Sequence, residues 1–124
     1  MIDHVAISRS YWDDYAPHWV TRGEAAWLTS EPYWGIWETP EADLNLLPTN
    51  LEGLQAVELG CGTGYATRWL ERRGSSVTAI DNSSKQLATA QRLARQHKSE
   101  ISFLMGNAEQ CPLPDLSADF FISE

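Results

Sequence analysis

At 124 residues the chain is one domain by length, which excludes two full domains and is enough for a single hydrophobic core. Apolar residues at 43% and charged residues at 21%, with six Pro and eight Gly, exclude a disordered tail or a low-complexity polymer. Nine Lys and Arg against 17 Asp and Glu leave a net charge of -8, a surface that repels phosphate backbones, so no nucleic-acid partner is expected.

Two cysteines, Cys61 and Cys111, are too few for the disulfide framework of a small secreted domain. The start, Met1-Ile-Asp-His-Val, has neither a basic region nor the apolar run of a signal peptide, so a reduced, cytoplasmic protein is expected. No run reaches the roughly 18 apolar residues of a membrane span, and no membrane partner is expected. His4, His18 and His97 are scattered, none with a Cys or His at metal-ligand spacing, so no metal site is expected.

In chain order, the first 50 residues hold five of the six tryptophans: Trp12, Trp19, Trp27, Trp34 and Trp37. Tyr11, Tyr15 and Trp19 follow at steps of four, which places three rings on one face of a helix. That face is either buried or turned to a ligand. Pro17 is expected to kink or interrupt the helix. Glu31 to Trp37 is too rich in turn residues for a regular element, and Trp34 and Trp37 read as packing rather than chemistry. Thr39 before Pro40 reads as an N-cap with Pro at the first helical position, opening a short helix to about Leu47 that Pro48 ends.

From residue 54 strands alternate with helices. Leu54 to Leu59 reads as a buried strand, followed by Gly60-Cys-Gly-Thr-Gly and a helix with Tyr65, Ala66, Trp69 and Leu70 on one face, closed by Gly74. A second strand, Ser76 to Ile80, ends at Asp81, and Ser83 with Gln86 three residues on makes a capping box for a helix to about His97. Leu87, Ala90, Leu93 and Ala94 are its inward positions. Ile101 to Met105 is a third strand, 106–117 a Pro-containing loop, and Asp119 to Ser123 a fourth strand. Arg68, Arg72, Arg73, Arg92, Arg95 and Lys98 are expected on solvated helix faces. Such alternation implies a parallel sheet with right-handed crossovers, the first half of a doubly wound fold.

In a doubly wound sheet a ligand sits beyond the carboxyl ends of the strands, near the switch point. Gly60, Gly62 and Gly64 lie there, where a glycine loop lets backbone N–H groups approach a ligand at a helix N-terminus. Asp81 follows Gly60 by 21 residues, the separation at which an acidic residue grips a ribose diol. A dinucleotide fingerprint would need Gly or Ala where Tyr65 stands, and Glu58 beside the loop opposes a pyrophosphate. The same charge suits a ligand bearing an ammonium and a sulfonium. Cys61 reads as a small loop residue rather than a nucleophile, since nothing basic adjoins it in sequence.

Val57-Glu-Leu-Gly-Cys-Gly-Thr-Gly-Tyr65 resembles the first motif of class I S-adenosylmethionine-dependent methyltransferases. Val77-Thr-Ala-Ile-Asp-Asn-Ser83 resembles the second-strand motif. Gly106-Asn-Ala-Glu109, then Pro112-Leu-Pro-Asp-Leu-Ser-Ala-Asp119-Phe-Phe, resembles the loop into strand four, with Ala118 in place of the usual Phe. The resemblance covers residues 54–124 and implies a Rossmann-like α/β fold of which the first four strands are present, in the order 3-2-1-4. It divides the chain into an aromatic-rich helical N-terminal cap, 1–50, and a truncated cofactor-binding half-domain, 51–124.

Carried over by position, the resemblance implies that Gly60, Cys61, Gly62 and Gly64 hold the methionine part of S-adenosylmethionine, with Glu58 near its amino group. Asp81 would bind the ribose hydroxyls, Asn82 and Ala108 would lie against the adenine, and Asn107, where the family commonly has Asp, would accept from the adenine amino group. Tyr11, Tyr15 and the Trp34/Trp37 pair are the candidates for aromatic contact with the sulfonium, Tyr11 and Tyr15 foremost. The implied function is in-line methyl transfer to a small-molecule acceptor with S-adenosylhomocysteine as product; no residue stands out as a general base. The alternative is a non-catalytic cofactor-binding or interaction module, because three of the family's seven strands do not follow. A nucleotide-dependent oxidoreductase is a weaker third reading. The fourth strand is expected to present an apolar edge covered by self-association with a partner chain, by rearrangement, or by residues outside this sequence.

Overall fold

The computed structural model describes residues 2–115 and 117–124; Leu116, inside the Pro112–Asp119 motif, lies outside the described residues. The first element is a long helix, α1 (His4–Leu28), capped by the Asp3 side chain, which accepts from the backbone N–H groups of Val5 and Ala6. Pro17 does not interrupt it. One missing backbone bond is outweighed by the packing of Ala16, Gly23, Ala26 and Trp27, the buried residues of this helix.

Tyr33–Trp34 (β1) and Thr39–Pro40 (β2) form a small antiparallel ladder where the sequence pattern suggests only turns. Pro40 rather than Thr39 is the N-cap of α2 (Glu41–Leu44), and that helix ends at a left-handed Asn45, short of the expected Leu47. The buried Glu41 fixes this segment: its carboxylate accepts from Trp34 Nε1 at 2.6 Å and from the Leu47 backbone N–H at 2.6 Å. Trp34 is thereby packed as expected, but Trp37 is not, being 84% exposed.

The sheet follows: β3 (Gln55–Leu59), α3 (Tyr65–Arg72), β4 (Ser76–Asp81), α4 (Ser84–Gln96), β5 (Ser102–Met105), a 3-10 turn (Ala108–Gln110) and β6 (Phe120–Ile122). All three pairings are parallel, in the order β5-β4-β3-β6. The chain thus steps outward from β3 through β4 to β5 and returns to the far side of β3, so the switch point lies between β3 and β6. Helix α1 lies chiefly against α4 and also meets α3. Ala26, Trp34 and Leu47 share one buried cluster with Leu51, Ala56, Ala66, Trp69, Leu70 and Val77.

Arg72 is exposed as expected, but Arg68, at 16% side-chain exposure, is not part of a solvated face. Arg68 donates from Nη1 to Glu71 at 2.7 Å and to Ser99 Oγ at 2.9 Å while its guanidinium lies 5.8 Å from the Trp27 ring centre. Arg72 and Arg73 donate to the carbonyls of Thr29 and Pro48. These bonds satisfy carbonyls that no regular element pairs, which a helix-face pattern cannot reveal.

Candidate functional site

A cavity of about 430 Å³ opens beyond the carboxyl ends of the sheet, and every strand contributes to it. β3 leads into Gly60, Cys61, Gly62 and Thr63; β4 ends in Asp81 and Asn82; β5 runs into Gly106, Asn107 and Ala108; β6 is followed by Ser123 and Glu124. This is the place a doubly wound sheet reserves for a ligand. Helix α1 supplies the facing wall with His4, Val5, Ser8, Trp12 and Trp19.

The glycine loop starts when Gly60 and Cys61 both donate their backbone N–H to the Ile80 carbonyl, at 2.8 and 3.0 Å. Gly60 and Gly62 have φ of 74° and 55°, and a Cβ on either would meet nothing within 4 Å. Both therefore face open space at the cavity, in a backbone conformation that favours glycine. Gly64 does not line the cavity. It caps α3 at φ 82°, and a Cβ there would come within 3.3 Å of Ala90 and 3.4 Å of Trp27, so it is a close-packing glycine.

Asp81 binds the loop to the next strand. One carboxylate oxygen accepts from Gly62 N–H at 2.7 Å and the other from Ser83 N–H at 2.8 Å. This second bond alters the expected capping box: Ser83 Oγ does accept from Gln86 N–H, but the return bond from the Gln86 side chain is absent, because a carboxylate has taken its donor. Gln86 is left 4% exposed, lining the cavity, with no partner for Oε1.

Glu58 is 2% exposed and its carboxyl receives a hydrogen bond from Thr67 Oγ1 of α3. Burial, reinforced by the charges of Glu124 and Asp81 and opposed by the Thr67 bond, pushes its pKa up to about 8. Tyr65 donates to Glu124 at 3.3 Å; burial and then that carboxylate raise the phenol well above its ordinary value, keeping it a donor. The Cys61 thiol is likewise pushed far up by burial and then by Glu58, which removes it as a nucleophile. Glu58, Asp81, Glu109 and Glu124 all line the cavity, and His4 is the sole basic side chain there among the described residues.

Asn82 lines the cavity but also fastens α1. Its Nδ2 donates to the Val5 carbonyl at 3.1 Å, and Arg9 Nε donates to its Oδ1 and backbone carbonyl at 3.1 and 3.2 Å. Asn107 Oδ1 accepts from Glu109 N–H, capping the 3-10 turn on which Ala108 lies. At the mouth, His4 Nε2 meets the Glu109 carboxylate at 2.9 Å.

Tyr11 and Tyr15 do not line the cavity. They are 50% and 45% exposed and stacked on one another at 4.5 Å, which corrects both readings for these two rings, while Trp19 of the same stripe does line the cavity. Steps of four drift about 40° each around a helix, so Trp19, the third ring of the stripe, is turned from Tyr11 onto the face of Trp12; the cavity receives that face, where the two rings stand 6.5 Å apart. Apart from Trp19, that face carries no sequence signal, since His4 and Ser8 interrupt any apolar stripe. Thr63 and Tyr65 stand inside the first motif without an assigned role, and Gln86, Ser123 and Glu124 lie outside the motifs; the last two are reachable by the rule that finds Asp81, at the carboxyl end of a strand.

Among the described residues, no group of His, Cys, Asp and Glu could hold a metal ion, and no helix is long and apolar enough to cross a membrane. Comparison with known proteins agrees with this geometry. A family described as "Methyltransferase domain" matches residues 57–124. The chain is 41% identical over 71 residues to a malonyl-[acyl-carrier protein] O-methyltransferase of Serratia marcescens, covering 57% of this chain and 26% of that protein. It superimposes on an S-adenosylmethionine-dependent methyltransferase from Mesorhizobium loti with a TM-score of 0.56 and 34% identity, over 66% of this chain and 36% of that one. The [4+2]-cyclase SpnF matches over 92% of this chain and 47% of its own, with a TM-score of 0.69 at 23% identity, a likeness of fold alone that includes the N-terminal region. The chain spans between 15% and 30% of the length of the curated relatives it matches. With the glycine loop, Asp81 and the parallel sheet in the family's arrangement, the chain belongs to the class I S-adenosylmethionine-dependent methyltransferases.

Proposed function

We propose that the cavity binds S-adenosylmethionine and that the protein transfers its methyl group to a small-molecule acceptor. The observation that carries the reading is the convergence of three separate motifs on one acidic cavity at the ends of four parallel strands. The residues fit the cofactor on grounds independent of family. Gly60 and Gly62 leave a cradle that a Cβ would fill, and the carboxyl groups match an ammonium and a sulfonium.

When bound, the cofactor would supply a sulfonium methyl group that an acceptor nucleophile attacks in line, the methyl–sulfur bond breaking to release the neutral thioether. The chain's own contribution is positioning and exclusion of water. Gly60 and Gly62 let the loop backbone approach the methionine part. Glu58, protonated at neutral pH without a counter-charge, ionises beside the ammonium. Asp81 takes the ribose, and Asn82, Asn107 and Ala108 flank the adenine. Trp12 and Trp19 are the aromatic faces available to a cation on the α1 side. The residues of 1–50 act as the cap over the half-domain 51–124, in a cytoplasmic setting. Several relatives carry O-methyltransferase names, among them a ubiquinone biosynthesis O-methyltransferase of Caulobacter, so an oxygen acceptor is the first to try.

Calorimetric titration with S-adenosylhomocysteine and, separately, with NAD tests the cofactor assignment. Saturable binding of S-adenosylhomocysteine alone is expected; binding of NAD alone would sink it.

A further inference from the structure

We propose that the β6 side of the cavity is the acceptor's place and that it selects an aromatic ring bearing a neutral hydroxyl, which donates to the Glu124 carboxylate, over the same ring bearing a carboxylate. The inference rests on the cofactor reading above and names the class of acceptor that the reading leaves open.

By that reading Asn107 and Ala108 meet the adenine, Asp81 the ribose, and Glu58, Gly60 and Gly62 the methionine part. Left over on the β6 side are Ser123 and Glu124, Tyr65 at the start of α3, and Trp19 on α1. Contacts join them round one rim. Glu124 Oε1 accepts from the Tyr65 hydroxyl at 3.3 Å and from the Gly35 backbone N–H, also at 3.3 Å. Glu38 N–H closes the β1–β2 turn on the Gly35 carbonyl at 3.2 Å, and its carboxylate pairs with Arg22 at 3.8 Å. The Arg22 guanidinium in turn lies 5.7 Å from the Trp19 ring centre.

Two properties of this rim set its chemistry. Its apolar surface is aromatic: Tyr65 is fixed edge-on to Trp69 at 5.2 Å and by its bond to Glu124, and Trp19 is 36% exposed. A planar ring gains offset or edge-to-face contact there beyond the area it covers. Its polar capacity is that of an acceptor. Both bonds to Glu124 fall on Oε1, so Oε2 receives none among the described residues. The Ser123 hydroxyl already donates to the Leu59 carbonyl at 3.0 Å, as the Tyr65 hydroxyl does to Glu124. An incoming O–H therefore finds an uncommitted carboxylate oxygen and a charge-assisted bond. An incoming carboxylate finds like charge at Glu124 and no counter-charge, because His4, the sole basic side chain lining the cavity among the described residues, is paired with Glu109, and Arg22 with Glu38.

The test is calorimetry on the full chain saturated with S-adenosylhomocysteine, using three probes that share one ring: 4-ethylphenol, its methyl ether 4-ethylanisole, and 4-ethylbenzoate. 4-Ethylphenol is expected to bind, 4-ethylanisole about tenfold more weakly for want of the donor, and 4-ethylbenzoate not measurably. Glu124→Gln should shrink the difference between phenol and ether to about threefold or less and admit 4-ethylbenzoate. Trp19→Leu should weaken the phenol and the ether alike. A merely structural Glu124 would shift the three probes together, and unchanged ratios among them in Glu124→Gln overturn the proposal. Wild type that binds 4-ethylbenzoate as tightly as 4-ethylphenol, or the phenol no better than the ether, overturns it whether or not either variant folds. So does a saturated chain that fails to bind 4-ethylphenol. Failure of wild type to bind S-adenosylhomocysteine at all removes the reading beneath it, and the two failures are thereby distinct.

Discussion

The β3–α3–β4 side of the cavity and the α1 side reach the same space by different means. On the sheet side the ligand-facing groups are fixed by their own neighbours in sequence: strand, glycine loop and Asp81 are held by backbone bonds to Ile80 and by carboxylate bonds spanning 19 residues or fewer. On the α1 side nothing local fixes the orientation. The helix is set by distant contacts, from Trp27 Nε1 to the Thr63 carbonyl at 2.8 Å, from Asn82 to Val5, and from Ser83 to Asp13. Gly23 lets it come so close that a Cβ would meet Thr63 Oγ1 at 2.6 Å. The Glu58–Asp81 part of the acidic wall is thus built by local rules, and the aromatic wall by docking.

Trp27→Ala is the most direct way to break the comparison. It removes a fully buried indole and its bond to the glycine loop, and the expected cost is about 3–5 kcal/mol in urea unfolding. A loss near zero would mean that α1 is not integral to the folded sheet.

Glu58 sharpens the sheet side. Its folded pKa of about 8 lies above its ordinary value of 4.5, so the folded state holds this proton more tightly than the unfolded one. The contribution is fully present below pH 4.5 and is lost as pH rises through 8, a fall on the order of 3–4 kcal/mol between pH 5 and 9. Unfolding free energies of the ligand-free protein measured over that range should fall relative to those of Glu58→Gln. Parallel curves would show that Thr67 and solvent compensate the charge.

The smallest effect is expected at the mouth. His4 and Glu109 form an exposed pair, with side-chain exposures of 70% and 63%, and His4→Ala should change stability by less than about 1 kcal/mol. A larger thermal shift would make the N-terminus of α1 a principal anchor, on a par with Trp27.

The same contrast explains what is legible in the sequence. Glycine spacing, strand ends and inward helix positions depend on local backbone geometry, and Gly60, Gly62, Asp81, Asn82, Asn107 and Ala108 all reach the cavity. Gly64 departs from its motif reading because a motif glycine can serve packing as well as ligand approach, and only the neighbours Ala90 and Trp27 tell which. Tyr11 and Tyr15 depart from theirs because a row of rings predicts a face but not its azimuth. That rotation is set by Gly23, Trp27 and Asn82, none of which announces its partner in sequence. Pro17 carries less weight than its local chemistry implies for the same reason, since tertiary packing takes the helix past it.

The bonds across the cavity also have a meaning in time. Val5 to Asn82 and His4 to Glu109 join residues 77 and 105 positions apart, whereas Asp81 and Gly62 are 19 apart. Closing long loops is slow and entropically late, so the acidic half of the site can be assembled while the aromatic half is still searching. The backbone pairing of β3 with β4 includes no residue of α1, so it does not depend on the contacts that hold the aromatic half in place.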